Sequence, residues 1–237
     1  MSAALKILPI GSWEYHGPHL PMDTDTRIAS GVAQRIKNAL FVDDAPVRGL
    51  AVELLPAISI SCSHEHSNSV SIRASTLLHI LEDIQSNFDG PLVVINAHGG
   101  NHVLEHWALE QNRRKVRSLW FPRSWNWRIA CERAGVLTPW GEDVHAGEIE
   151  TSIMLEIAPQ DVFMERCPDD RIAPAQRMWP VLGMSQFSRD GVIGAPSRAT
   201  AQTGRKLLDA LVDLAIEEIV VVAADWRSVA ARDPAAA

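Results

Sequence analysis

Three short stretches of this 237-residue sequence concentrate the residue types that bind metal ions. The first runs Gly11-Ser12-Trp13-Glu14-Tyr15-His16-Gly17-Pro18-His19-Leu20-Pro21-Met22-Asp23-Thr24-Asp25. Glu14 and His16 stand two apart, so in an extended chain both side chains project from the same side. Asp25 adds a second carboxylate after a loop stiffened by Pro18 and Pro21. Imidazole and carboxylate without thiolate suit zinc, manganese or iron. Any one of these residues reads equally well as an ordinary polar loop residue; five acidic or imidazole groups between positions 14 and 25 are harder to dismiss. His19 and Asp23 fit either as ligands or as groups that orient ligands.

The second stretch is Asn96-Ala97-His98-Gly99-Gly100-Asn101-His102. Its glycines let the backbone approach a ligand closely, which makes His98 a natural third donor; the bland alternative is a glycine turn capped by Asn101. The third is Asp143-Val144-His145-Ala146-Gly147-Glu148-Ile149-Glu150-Thr151-Ser152. A helix starting near Gly147 puts Glu148 and Glu150 in its first turn, where the dipole and free amides favour carboxylates, so both also read as plain helix-start residues. His145, just before that turn, is free to swing into a site. His102 and His106 have helical metal-site spacing, but no glutamate follows His102, and a solvated face with Glu105 is preferred. His64-Glu65-His66 alternates possible ligands without a fourth nearby and reads as substrate-loop or surface chemistry.

The elements that must carry these stretches follow from periodicity. Leu5–Ile10 reads as a buried strand closed by Gly11, and Leu92–Ile95, bounded by Gly90-Pro91, as another. Ala51–Ile60 and Val116–Phe121 read as further strands. Helices are expected over Thr26–Leu40, where Ile28, Ala29, Val32, Ala33, Ile36 and Leu40 share a face and Thr24 or Thr26 caps the start. Others are expected over Ser75–Phe88, Val103–Arg114, Gly147–Ala158 and within Ser197–Ala223. Strands alternating with helices predict an α/β fold with a mostly parallel sheet and helices on both faces. In such sheets ligands bind beyond the carboxyl ends of the strands, where the three stretches fall.

With 46% hydrophobic residues, residues 1–237 read as a single domain with a full core, ending in a frayed tail at Asp233–Ala237. The net charge of −7 argues against nucleic acid as a partner. Three cysteines, Cys62, Cys131 and Cys167, make neither a disulfide framework nor a thiolate zinc site and fit a reducing cytoplasm. No signal-like or bilayer-length apolar run occurs, so no membrane partner and a cytoplasmic location are expected.

Taken together, GSWEYHGPHLPMDTD, NAHGGN and HAGEIETS resemble the signature set of the creatininase family, from about Leu8 to Ser152, with a weaker echo at Gly191–Pro196 through Gly204. The resemblance implies a three-layer α/β/α sandwich, a homohexamer, and two divalent metal ions per chain, zinc, manganese or iron. Carried over by residue, it makes Glu14, His16, Asp25 and His98 ligands, with Asp25 bridging. It gives His145 proton transfer at the scissile nitrogen and puts Glu150 at an essential carboxylate position. Creatinine-cleaving members have a glutamate where this chain has Gly100, which leaves Glu150 as the best candidate to supply the missing carboxylate as a ligand. The HGGN-type members include a mycofactocin-maturing peptidase and pyrimidine-precursor deformylases, and Asp23–Ala29 is similar to the peptidase branch. Ser63–Ser71 keeps Glu65 and His66 of a GEHxxFPGT-like stretch but not its Pro-Gly turn.

The expected activity is therefore hydrolysis of a C–N bond (amide, cyclic amide or formamide) in a small polar substrate by a metal-activated water, with His145 protonating the leaving nitrogen. Glu65, His66, Gly99, Gly100, Asn101, Trp125 and Trp127 are the expected substrate-side residues, although core packing suits at least one tryptophan better. The alternatives are a metallopeptidase trimming a peptide C-terminus, so that the partner is a small molecule or a short peptide, and a non-catalytic metal-binding scaffold. The intact Glu14, His16, Asp25, His98 and His145 set weighs against the scaffold.

Overall fold

A computed structural model describes residues 4–41, 51–172 and 178–232; the tail at 233–237 lies outside them. Strand β1 (Ala4–Ile10) has six of its seven residues buried and sits inside a four-stranded parallel sheet. The sheet order is β3 (Ala51–Leu54), β1, β5 (Leu92–Asn96), β6 (Ser118–Phe121). Its register pairs Ile7 with Val93 and Val93 with Leu119. Alternation of side chains divides the apolar residues between two faces. Leu5, Ile7, Val93, Ile95, Leu119 and Phe121 belong to one core, and Leu8, Ile10, Leu92 and Val94 to the other.

The first face is covered by α1 (Thr24–Leu40), α4 (Ser124–Ala134), α5 (Glu148–Ile157) and α7 (Ala201–Arg232). The second is covered by α2 (Ala74–Gln85) and α3 (Val103–Arg113), through Leu77, Leu81, Leu104 and Trp107. The result is the expected three-layer α/β/α sandwich. Helix α1 buries the six residues expected from its stripe. A short helix, α6 (Trp179–Leu182), stands apart from these layers. Among the described residues no helix is long and apolar enough to cross a membrane.

Neither Thr24 nor Thr26 caps α1, which starts after Asp23 without a side-chain cap bond, and two further elements differ from the sequence reading. The strand expected over Ala51–Ile60 ends at Leu54; Pro56 cannot donate to a ladder, and the chain continues beside β1 through a bond from Leu55 to Ile7 and an isolated parallel bridge between Ile58 and Ile10. Residues 124–134, which hold Trp125 and Trp127 and to which the sequence reading assigned no element, form helix α4. Its start is closed by the Asn126 side chain, which accepts the Arg123 N–H at 2.9 Å, and its end by Gly135 in the left-handed region at φ 74°. Its inward face, Trp127, Ala130, Cys131 and Ala134, has helical spacing that the sequence reading did not use.

What matters for the site is that β1 and β5 end at the same edge of the sheet, at Ile10 and Asn96, which are register partners. Beyond that edge β2 (Trp13–Glu14) pairs antiparallel with β4 (Ser69–Val70), Glu14 opposite Ser69, and so draws the loop at 61–68 over the end of β1. Helix α5 is held against α7 by close backbone approach at Gly204, where a Cβ would overlap the Ser152 carbonyl. Gly204→Ala is therefore expected to lower the urea midpoint, by about 1–3 kcal/mol of overpacking strain; an unchanged midpoint would show that the two helices can part without cost.

Candidate metal centre

Each of the three stretches delivers its side chains from a strand end or a helix start. Glu14 lies on β2, His16 in the loop after it, Asp25 on the first turn of α1, and His98 two residues past β5. His145 and Glu150 flank the start of α5. Glu14, His16, Asp25, His98 and His145 are all buried, and Glu150 is partly so.

The imidazoles share one pattern. His16 donates its Nδ1–H to the carbonyl of Glu14 at 2.9 Å, His98 its Nε2–H to Cys62 at 2.8 Å, and His145 its Nε2–H to Tyr15 at 3.0 Å. A carbonyl only accepts, so each bond fixes a proton on the outer nitrogen and turns the inner one toward the centre. There His98 Nδ1 stands 3.2 Å from Glu14 Oε1 and 3.0 Å from Asp25 Oδ2. His16 Nε2 stands 3.0 Å from Asp25 Oδ1 and 3.8 Å from Glu150 Oε2. His145 Nδ1 is 3.8 Å from Glu14 Oε1. Asp25 thus divides its two oxygens between His16 and His98, and Ser12 Oγ–H donates to its Oδ2 at 2.8 Å.

This arrangement calls for a cation. Both oxygens of Glu14 are buried without a hydrogen-bond partner, a costly condition for a carboxylate. Burial would lower the histidines, yet the Asp25 and Glu14 carboxylates prevail: His16 is raised to about 10 and His98 well above its ordinary value. The same contacts hold Glu14 and Asp25 below the usual carboxylate range against burial. Protons stand here where a metal ion would serve, and the donors fall into three groups of ligand atoms within 4.8 Å: Glu14, Asp25 and His98; His16, Asp25 and Glu150; Glu14, His16 and His145. His145 is different in kind, since burial together with the neighbouring His16 and His66 lowers it to about 3. Burial raises Glu150, whose Oε2 accepts the Ala146 N–H at 2.6 Å.

A cavity of about 370 Å³ opens on this cluster, lined by His98, His145 and Glu150 together with Trp120, Trp127, Trp140, Pro122 and Ile149. Trp125 lies outside the lining: it is 51% exposed and its ring packs against the Arg123 guanidinium at 4.3 Å, because α4 turns Trp127 and not Trp125 inward. Gly99 and Asn101 line the cavity, but the Asn101 amide is occupied, accepting from Cys62 N–H at 3.1 Å and donating to Asn96 Oδ1 at 2.9 Å. Gly100 is absent from the lining and lies against Cys62, Glu65 and His98.

The loop that sequence left between surface and substrate chemistry reaches the cluster itself. His66 Nε2 is 3.3 Å from Glu14 Oε1, its ring 4.4 Å from that of His145, and Glu65 Oε1 is 3.4 Å from His98 Nε2. His64 turns away, exposed and bonded to Ser71. His106 is exposed, in keeping with a solvated face, whereas His102, although exposed, lines the cavity. His19 is buried against Thr151 Oγ1 at 3.1 Å, and Asp23 pairs with Arg27. Trp120 and Trp140 were not foreseen as lining residues; the only hint for Trp140 was its place just before the third stretch.

A three-layer α/β/α domain with buried imidazoles and carboxylates at the carboxyl edge of its sheet has the architecture of a metal-dependent hydrolase. The chain belongs to the creatininase family, whose model, described as creatinine amidohydrolase, matches residues 2–219; its members are hydrolases acting on C–N bonds. It is 34% identical over 223 residues to the mycofactocin precursor peptide peptidase of Mycobacterium tuberculosis, covering 90% of this chain and 83% of that one. Its fold is similar to that of a putative creatinine amidohydrolase from Bacteroides fragilis, with a TM-score of 0.73 at 23% identity over 94% of this chain and 91% of that one. It is also similar to a creatininase in a Zn-Zn form, with a TM-score of 0.67 at 21% identity over 92% and 90% of the two chains.

Because His16 and His98 carry protons that a metal ion must displace, metal affinity should rise with pH. Below about pH 10 the metal-free His16 is charged, and each displaced proton contributes up to roughly tenfold per pH unit. Competition against a chromogenic chelator between pH 6 and 8 should show at least that slope; a pH-independent affinity would contradict the protonated pairs.

Proposed function

We propose that the protein is a metal-dependent amidohydrolase that cleaves a peptide amide near a C-terminus, with an apolar or aromatic group of the substrate held in the tryptophan-lined cavity. The observation that carries this is the junction of that cavity with His98, His145 and Glu150. An aromatic lining recovers apolar surface from water, which suits a peptide side chain better than the small polar amide that the motifs alone suggest. The 34% identity to a peptide peptidase along 90% of the chain supports the same reading.

Glu14, Asp25 and His98 would hold one ion, and His16, Asp25 and Glu150 a second, with Asp25 common to both. Such ions, zinc, manganese or iron, supply a water activated at neutral pH and a Lewis acid for the substrate carbonyl. The chain's own residues do the rest. His145 is neutral, with its Nδ1 lone pair facing the centre, so it can take a proton there and return it to the leaving nitrogen. Trp127 and Trp140 shield the bond from bulk water. Glu150 serves as ligand, which makes the two carboxyl-bearing stretches halves of one centre. The reading extends to a cytoplasmic homohexamer without membrane or nucleic-acid partners; the exposed Trp13 and Val70, paired across β2 and β4, support assembly.

His145→Ala should keep the metal content of the unmodified protein and lose roughly 10²–10⁴ in turnover, least on substrates whose nitrogen leaves easily. Metal lost from this variant would make His145 a ligand. On synthetic peptides assayed with metal-replete protein, an aromatic residue beside the scissile bond should raise kcat/KM over aspartate by about 10–200-fold, the worth of burying one large apolar side chain. Preference for formamides or cyclic amides over all peptides would favour the small-substrate reading.

A further inference from the structure

The centre leaves one neighbouring carboxylate unexplained, that of Glu65. It does not line the cavity and belongs to none of the three donor groups. It faces the outer side of His98: Oε1 is 3.4 Å from Nε2, the nitrogen whose proton goes to the Cys62 carbonyl at 2.8 Å. His98 therefore lies between carboxylates, Glu14 and Asp25 on its Nδ1 and Glu65 on its Nε2.

The position of Gly100 makes the same point. A Cβ there would overlap the Cys62 carbonyl oxygen, Glu65 Oε1 and His98 Nε2 at once. The volume that a side chain at position 100 would enter is occupied by the Glu65 carboxylate, whereas Glu150 approaches from the other side, toward His16. The loop that presents Glu65 is held at several points. Its carbonyl accepts the Met184 N–H at 2.8 Å, the Ser63 N–H bonds to Ser71 Oγ at 2.8 Å, and the Cys62 N–H bonds to Asn101 at 3.1 Å. The carboxylate is thus set by the fold, and a substrate contact is not what it makes.

We propose that Glu65 is a positioning residue for His98: together with the Cys62 carbonyl it holds the Nε2 proton, keeps the Nδ1 lone pair aimed between Glu14 and Asp25, and makes that nitrogen a stronger donor to a metal ion. Gly100 is required because it leaves this carboxylate its place. A carboxylate behind a ligating imidazole fixes its tautomer and raises its basicity, and its loss weakens metal affinity by roughly 10–100-fold.

The inference rests on the metal centre proposed above, and the test separates the two. Glu65→Gln keeps the shape and an acceptor oxygen while removing the charge. Zinc affinity of this variant and of the unmodified protein is measured by chelator competition, and the His98 ring nitrogens of the zinc-loaded proteins are followed by 15N NMR. The expected result is a zinc affinity lower by about tenfold or more, together with a shifted and faster-exchanging His98 Nε2–H signal. Unchanged affinity and an unchanged His98 signal in Glu65→Gln would overturn the positioning role. Failure of the unmodified protein to bind zinc, manganese or iron would instead overturn the metal centre itself.

Discussion

The site depends on three backbone carbonyls. Those of Glu14, Tyr15 and Cys62 each take the outer proton of a buried imidazole, and in doing so they decide where the inner nitrogens point. Without those bonds an imidazole could flip or tautomerise and present a proton where a lone pair is wanted. With them, the nitrogens of His16, His98 and His145 converge on Glu14 and Asp25, whose carboxylates have almost no contact with solvent. Two of the three acceptors lie on β2 or next to it, and the third is placed by the loop that β4 draws across. The small two-stranded sheet therefore orients the centre even though it contributes one direct donor.

Burying several carboxylates and imidazoles together opposes folding, since each charge loses its hydration. The surrounding structure resists by being over-determined. The parallel sheet fixes the ends of β1 and β5 side by side. Helix α1 begins at the edge where Asp25 is needed, and α5 is pinned by Asp143, which accepts the N–H groups of Glu148 and Ile149 at 2.7 and 2.8 Å and that of Ala195 at 3.2 Å. Glu148 faces away from the centre and accepts the amides of Leu137 and Thr138. The two glutamates of α5 thus divide their roles: one ties down the loop before the helix, the other enters the centre.

Much of this was readable beforehand, and for physical reasons. The β5 run is apolar on both faces because the sheet is covered on both, and α1 shows a clean stripe because its other side is wet. The three metal-binding stretches could be assigned to one edge because parallel strands end together. Glu65 and His66 are expected on the substrate side, but their approach to Glu14 and His98 themselves is not readable, because it depends on the pairing of two residues on β2 with two on β4, too short to leave a period. Trp125 and Trp127 were indistinguishable until α4 set their phase. The orienting carbonyls leave no trace in side-chain chemistry, since every residue has one.

The most direct test of the metal centre is anomalous X-ray diffraction from crystals of metal-replete protein, recorded on either side of the zinc, manganese and iron absorption edges. Two anomalous peaks per chain are predicted, one among Glu14, Asp25 and His98 and one among His16, Asp25 and Glu150, with an Asp25 oxygen facing each. A single peak on the His64 side of the loop, or no peak near Asp25 in protein that retains metal, would contradict the shared centre.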